Sequence, residues 1–201
     1  MGSTPIFSIP FADPTDLVRD WPGLSEDVAE AVEAAISGLP VPDPPAGIGS
    51  NVVQTVKTDP FTSTSTSFVT VTGLTATITP TTATSKVLVV AQIATGSPSD
   101  TGSMFKITGG NSSVYVGDVD GTRIRGVFGG FYASDPMHNT LLGQSIVFLD
   151  SPSTTSATTY QVEARGTTSE PGIFVNRSGT DSDSPNRLRG ASSITLIEVA
   201  P

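Results

Sequence analysis

The sequence predicts an all-β protein: a jelly-roll-like antiparallel β-sandwich preceded by a short N-terminal anchor segment and an α-helix. Three observations predict it. The stretch Thr84–Ser97 (TSKVLVVAQIATGS) puts Val87, Val89, Ala91 and Ile93 on one face of an extended strand and Leu88 and Val90 on the other. That is the pattern of a strand inside a packed β layer, and its β-branched residues and nearby turn formers disfavour a buried helix. From residue 51 onward, short apolar segments recur between turn-rich connections, as in sandwiches and jelly rolls. Finally, Ser and Thr stand where charge would be: only 14% of the 201 residues are charged, and Thr suits an exposed pleated surface.

The length allows one substantial domain and a smaller appendage. A net charge of −9 and a pI near 4.3 argue against nucleic acid and against an anionic membrane surface. The absence of cysteine excludes disulfides and thiolate chemistry. No run approaches the length of a membrane span. The N-terminus lacks the basic start and unbroken apolar stretch of a secretory signal, so synthesis in the cytoplasm is expected.

Residues 1–22 form the expected anchor. Pro5 and Pro10 keep the backbone extended, while Ile6, Phe7, Ile9 and Phe11 are too apolar for an idle tail. Asp13 caps a short helix with Pro14 in its first turn, and Pro22 ends it, so that Leu17, Val18 and Trp21 share a face. This segment either docks on another protein or folds back on its own domain.

Residues 23–39 predict an amphipathic helix starting at Ser25, with Glu26 and Asp27 in its first turn and Gly38 closing it. Its stripe of Val28, Val32, Ala35 and Leu39 suits either packing on its own domain or a parallel bundle of identical helices. Residues 40–50, PVPDPPAGIGS, read as a semi-rigid linker.

The β domain then spans residues 51–201. Strands are expected at 51–57, 67–72 and 74–79, where Gly73 marks a tight corner or bulge. The core strand follows, then 104–108, 113–117, 123–132, 142–149, 158–165 and 192–199. Loops at 96–103, 133–141 and 166–190 are long enough to carry binding surfaces.

Few residues suggest chemistry. His138 is the one histidine, and no Gly-x-Ser-x-Gly elbow accompanies it. Glu163, Glu170 and Glu198 show no spacing that pairs carboxylates for sugar cleavage. Gly117-Asp118-Val119-Asp120-Gly121 resembles a fragment of a calcium loop but lacks its remaining ligands, so a plain turn is expected. Gly126, Gly129 and Gly130 suggest a bulge or a close backbone approach, such as a subunit contact. Asn111-Ser112-Ser113 and Asn176-Arg177-Ser178 match glycosylation acceptors. No catalytic residue, metal or cofactor is expected. In the 166–190 loop, Phe174, Arg177 and Arg187 are candidate receptor-binding residues, supported by Asn176, Asn186, Arg189, Asp181 and Asp183. Arg and Asn donors beside carboxylates suit hydroxyl-rich glycans, and Phe174 offers a face for a sugar ring. The alternative is a solvated loop whose arginines pair with neighbouring aspartates or with an adjacent subunit.

Four stretches carry a resemblance. The opening TPIFSIPFADPTDLVRDWPGLSEDVAEAVEAAI resembles the N-terminal segments of minor tail proteins and fibres from tailed phages, especially those of actinobacteria. The stretches VVQTVKTDPFTSTSTSFVTVTGLTATITPTTATSKVLVVA and SIVFLDSPSTTSATTYQVEARG, with the closing SSITLIEVA, resemble a Thr/Ser-rich β domain common in phage structural proteins. The resemblance implies a homotrimeric virion protein that is not an enzyme. It is attached to other virion proteins through its N-terminus, and its β domain projects outward to contact host surface glycans. A tail fibre or minor tail protein is the first expectation, a head fibre or capsid decoration protein the second, and a cell-wall-degrading tail enzyme the third. A virion component also reconciles cytoplasmic synthesis with a Ser/Thr-rich, Lys-poor surface.

Overall fold

The structure, a computed structural model, describes residues 2–3, 10–11, 21–37, 48–96, 102–111, 115–130, 139–167 and 172–200. They fall into two units, Met1–Pro45 and Ala46–Pro201.

In the first unit, β1 (Gly2–Ser3) pairs antiparallel with β2 (Pro10–Phe11), followed by α1 (Trp21–Ser37). The helix corrects two expectations. It starts at Trp21 rather than Ser25 and runs through Pro22, which was expected to end a preceding helix. Proline is tolerated there because first-turn N–H groups have no carbonyl to bond. Glu26 and Asp27 consequently lie beyond the first turn, which carries no acid. The end at Ser37, just before Gly38, is as expected. Among the described residues no helix is long and apolar enough to cross a membrane.

The second unit is an antiparallel β-sandwich. Its strands are β3 (Ile48–Lys57), β4 (Phe61–Ser63), β5 (Val69–Ile78), β6 (Lys86–Gly96), β7 (Ser103–Thr108), β8 (Phe128–Gly130), β9 (Leu141–Asp150), β10 (Thr158–Gly166), β11 (Ile173–Val175) and β12 (Ser192–Val199). One sheet has the order β5-β10-β7-β8 and the other β3-β12-β6-β9, with β11 and β4 added beside the end of β6. From β3 onward the main strands repeatedly cross between the two sheets, which is the strand order of a jelly roll.

The core strand is central, as its two apolar faces predict. β6 pairs along one edge with β12 and along the other with the whole of β9. Val87, Val89, Ala91 and Ile93 are fully buried and meet Val71, Leu74, Phe105, Ile107, Tyr160, Val162, Ile194 and Leu196 in one core. Leu88 and Val90, on the opposite face, are only half-buried. Gly73 makes the predicted bulge: it sits at φ +88 inside a single strand β5, where pairing to β10 shifts from Gln161↔Thr75 to Glu163↔Thr70.

Several boundaries differ from expectation. Residues 115–117 and 123–127 are not strand, leaving β8 among the described residues of the predicted 123–132 segment. Gly126 explains part of this, since its backbone lies against β7: a Cβ there would stand 2.5 Å from Met104 Cγ and 2.7 Å from Phe105 O. At Gly126 the close approach is therefore to this chain's own β7. β4 and β11 were missed because three residues are too few to show a period.

Candidate functional site

The receptor-binding candidates lie where the fold uses them itself. Phe174 belongs to β11, pairs with Thr62 and Gly96, and is 5% exposed, so it offers no free face to a sugar. The Arg177 guanidinium stacks over that ring at 4.5 Å. It donates through Nε to Ser178 O and through Nη2 to Gly179 O, and faces Asp181 at 3.5 Å. Arg189 pairs with Asp181 at 2.6 Å, and Arg187 Nε reaches Ser182 Oγ at 3.4 Å. Arginines pairing with neighbouring aspartates is the arrangement found for Arg177 and Arg189. Arg187, Arg189, Asp181 and Asp183 line a small hollow of about 280 Å³.

Asn176, expected as a glycan donor or glycosylation acceptor, is completely buried and serves neither role. It holds the left-handed conformation at φ 61, donates from Nδ2 to Lys57 O and Asp59 O, and accepts from Ser192 Oγ. Asn186 stays exposed.

Of the expected anchor, Phe11 lies in β2 and Trp21 opens α1; Ile6, Phe7, Ile9, Leu17 and Val18 fall outside the described residues. On the helix stripe, Val28 and Ala35 are half-buried and Val32 is exposed, whereas Leu39 lies outside the described residues. His138 and Glu170 also lie outside them.

Glu198 is structural. Wholly buried, it accepts from Thr81 N, Thr81 Oγ1 and Asn51 Nδ2. Burial pushes its carboxyl up, and hydrogen bonds from Thr81, Ser85 and Asn51 outweigh that, leaving it below the ordinary carboxylate range. Gly117–Gly121 leads into a turn at 120–123, with Arg123 N donating to Asp120 O and Gly121 at φ +56. Among the described residues no group of three or more metal-type side chains comes together.

A larger cleft than the hollow at Arg187 and Arg189 sits elsewhere, in a place the sequence did not indicate. Strand alternation turns Lys106 of β7 and Glu163 and Arg165 of β10 away from the core, onto the outer face of the β5-β10-β7-β8 sheet. Phe68, just before β5, joins them, with Lys106 Nζ 4.3 Å and the Arg165 guanidinium 6.0 Å from its ring centroid. The segment 115–127 folds beside β7, tied to it by Val127 N donating to Phe105 O at 2.8 Å and closed on itself by Gly117 N donating to Gly126 O at 3.1 Å. Between sheet and segment lies a cleft of about 500 Å³, lined by Phe68, Lys106, Arg123, Arg125 and Arg165 with Thr108, Thr122, Val116 and Ile124. Four of the ten Lys and Arg residues thus meet at one cavity of an acidic chain. Lys106 pairs with Glu163 at 3.2 Å, and Arg123 with Asp120 at 2.5 Å. Arg125 Nε donates to Gly117 O and Arg165 Nε to Gly166 O. Alternation in β7 and β10 would have shown Lys106 and Arg165 pointing outward, but not that they share a sheet with each other or a cavity with Arg123 and Arg125.

A second feature is the outer face of the β3-β12-β6-β9 sheet. Register sets three rows across it: Val52-Ile197-Leu88-Leu149, Gln54-Thr195-Val90-Val147 and Val56-Ser193-Gln92-Ser145. None of these positions is charged. Val52 and Val56 are 53% and 55% exposed, and Val147 and Leu149 are each 49% exposed.

No family model matches the chain, and no curated protein matches it.

Proposed function

We propose that the chain is a structural virion protein of a tailed phage, a short trimeric tail fibre or minor tail protein that holds a β-sandwich out towards the host surface, without enzymatic activity. The observation that carries this reading is the division of the chain. A small N-terminal unit, Met1–Pro45, precedes a β-sandwich unit, Ala46–Pro201, with the proline-rich stretch around the boundary. One unit is free to attach while the other presents a surface. The phage-like N-terminal and Thr/Ser-rich stretches support the same assignment. Jelly rolls serve as capsid and lectin domains, which is support by analogy of fold alone.

The reading assigns the three uncharged rows on the outer face of the β3-β12-β6-β9 sheet to contact between copies. Chains that each carry −9 repel one another. Three rows with no charge and several half-exposed Val, Leu and Ile side chains, with Lys86 alone at the end of β6, are where identical copies approach at least electrostatic cost.

Deleting residues 1–20 tests attachment while leaving α1 intact. The truncated protein is expected to fold and to be missing from assembled particles. Imaging of labelled full-length protein on intact particles then places it on the tail or on the head. Incorporation of the truncated chain at the normal level would overturn the anchor, and release of soluble fragments from purified host wall polymer would overturn the non-enzymatic assignment.

A further inference from the structure

We propose that the cleft between the outer face of the β5-β10-β7-β8 sheet and the 115–127 segment binds an anionic, hydroxyl-rich chain: a polymer of sugars or polyols bearing carboxylates or phosphodiesters. This deepens the host-surface reading and rests on it for the biological source of the ligand, not for the binding itself.

The chemistry of the lining selects this class. Lys106, Arg123, Arg125 and Arg165 converge on a cavity of about 500 Å³, inside the roughly 300–1,000 Å³ range of small-ligand clefts. Glu163 and Asp120 pair with Lys106 and Arg123, so four cations against two carboxylates leave a local positive excess in a chain with 19 acidic and 10 basic residues. Arg125 and Arg165 commit Nε to backbone carbonyls, which fixes each guanidinium plane. Among the described residues no carboxylate forms an ion pair with either of them. A guanidinium held in this way suits the two-pronged recognition of a carboxylate or phosphate.

The rest of the lining fits the carbon skeleton between the charges. Thr108 and Thr122 supply hydroxyls for sugar or polyol oxygens, and Phe68, Val116 and Ile124 supply apolar surface for C–H faces. Nucleic acid is the other polyanion to weigh. Its charges are dense and continuous, so the −9 of the whole chain opposes its approach, while a polymer charged once per sugar or polyol unit meets the cleft one anion at a time.

The test uses purified full-length protein titrated by calorimetry with four probes: a uronate oligomer, a glycerol-phosphate oligomer, a neutral dextran oligomer and a single-stranded oligonucleotide. Binding of one of the first two is expected, weakening as salt screens the charges, and it identifies carboxylate or phosphodiester as the anion recognised. Arg123→Gln/Arg125→Gln should weaken that binding by about tenfold or more. Arg187→Gln/Arg189→Gln, in the separate hollow, should leave it unchanged. Arg123 is 80% exposed, so Arg123→Gln alone serves as a variant whose folding is not at risk, and it should weaken binding in the same direction. The proposal is overturned if neither anionic oligomer binds, if dextran or the oligonucleotide binds as tightly, or if the control pair loses as much affinity as the cleft pair. Cleft-dependent binding by a protein missing from particles would sink the virion reading and leave this inference standing. Particle-bound protein whose cleft variants bind like wild type would do the reverse.

Discussion

Ser192 Oγ donates a hydrogen bond of 2.5 Å to Asn176 Oδ1, and both side chains are buried. Asn176 Nδ2 continues the network to Lys57 O at 2.8 Å and Asp59 O at 3.1 Å, while its backbone N–H bonds Ala94 O and its carbonyl accepts from Gly190 N. One asparagine therefore joins the end of β3, the end of β6, the start of β12 and the returning 176–190 segment. Asn is also a residue that tolerates φ 61 there. Asn176→Ala strands the buried Lys57 carbonyl, the part-buried Asp59 carbonyl and a buried hydroxyl, and is expected to cost about 2–4 kcal/mol. Denaturant unfolding followed by circular dichroism measures it, and a loss under about 0.5 kcal/mol would contradict the network's importance.

Glu198 predicts the acid side of the stability profile. Its folded carboxyl lies below its unfolded value, because hydrogen bonds from Thr81, Ser85 and Asn51 outweigh burial. Its contribution is thus complete above the unfolded value, about 4.3, and disappears as pH falls through the folded one. Glu198→Gln should flatten the loss of melting temperature below about pH 4 relative to wild type. An unchanged acid limb would assign that limb to other carboxylates.

Tyr160 predicts the alkaline side. Its hydroxyl donates to Asp150 Oδ2 at 2.5 Å inside the core, and Asp150 also accepts from Asn111 N. Burial first, then the hydrogen bond and charge of Asp150, push the phenol far above its ordinary value. Stability from the protonated phenol is therefore full below about pH 10 and lost as pH rises beyond it towards the raised folded value. Tyr160→Phe should remove much of the alkaline slope measured from pH 9 to about 11; retention of the full slope would mean that other groups titrate there.

Half of the apolar face on β9 is open to water, since Val147 and Leu149 are each 49% exposed. Val147→Asp/Leu149→Asp places two charges there without entering the core. In the proposed trimer, the double variant is expected to keep its β-sheet spectrum and to fall to monomeric mass in sedimentation. A wild-type chain that is already a stable monomer in dilute solution would remove this role for the face.

The 3.6-residue stripe of Val28, Val32 and Ala35 was enough to place α1, but not its start. Whether Pro22 ends one helix or begins another depends only on which residues precede it in helical geometry. Gly73 was legible as a bulge because an alternating run resumes directly after it at Leu74, Ala76 and Ile78. Phe174 was misleading: next to Val175 in a polar stretch, it looked like a loop-tip aromatic, whereas it is one strand position of β11 between β4 and β6. Three residues carry no period, and only the partners on both sides make them a strand.

By itself, the sequence determined the β class, the central strand β6 and the inward positions of β6 and of β5 after Gly73. Side-chain alternation is a local property, and burying one face requires that periodicity wherever the strand ends up. Tertiary structure alone decided the use of the polar residues. Asn176 became a buried joint instead of a surface donor, and Phe68, Lys106, Arg125 and Arg165 became neighbours across one cleft. Hydrogen bonds and charge clusters form between residues far apart in sequence, so their partners are set by strand order and register, which no local pattern encodes.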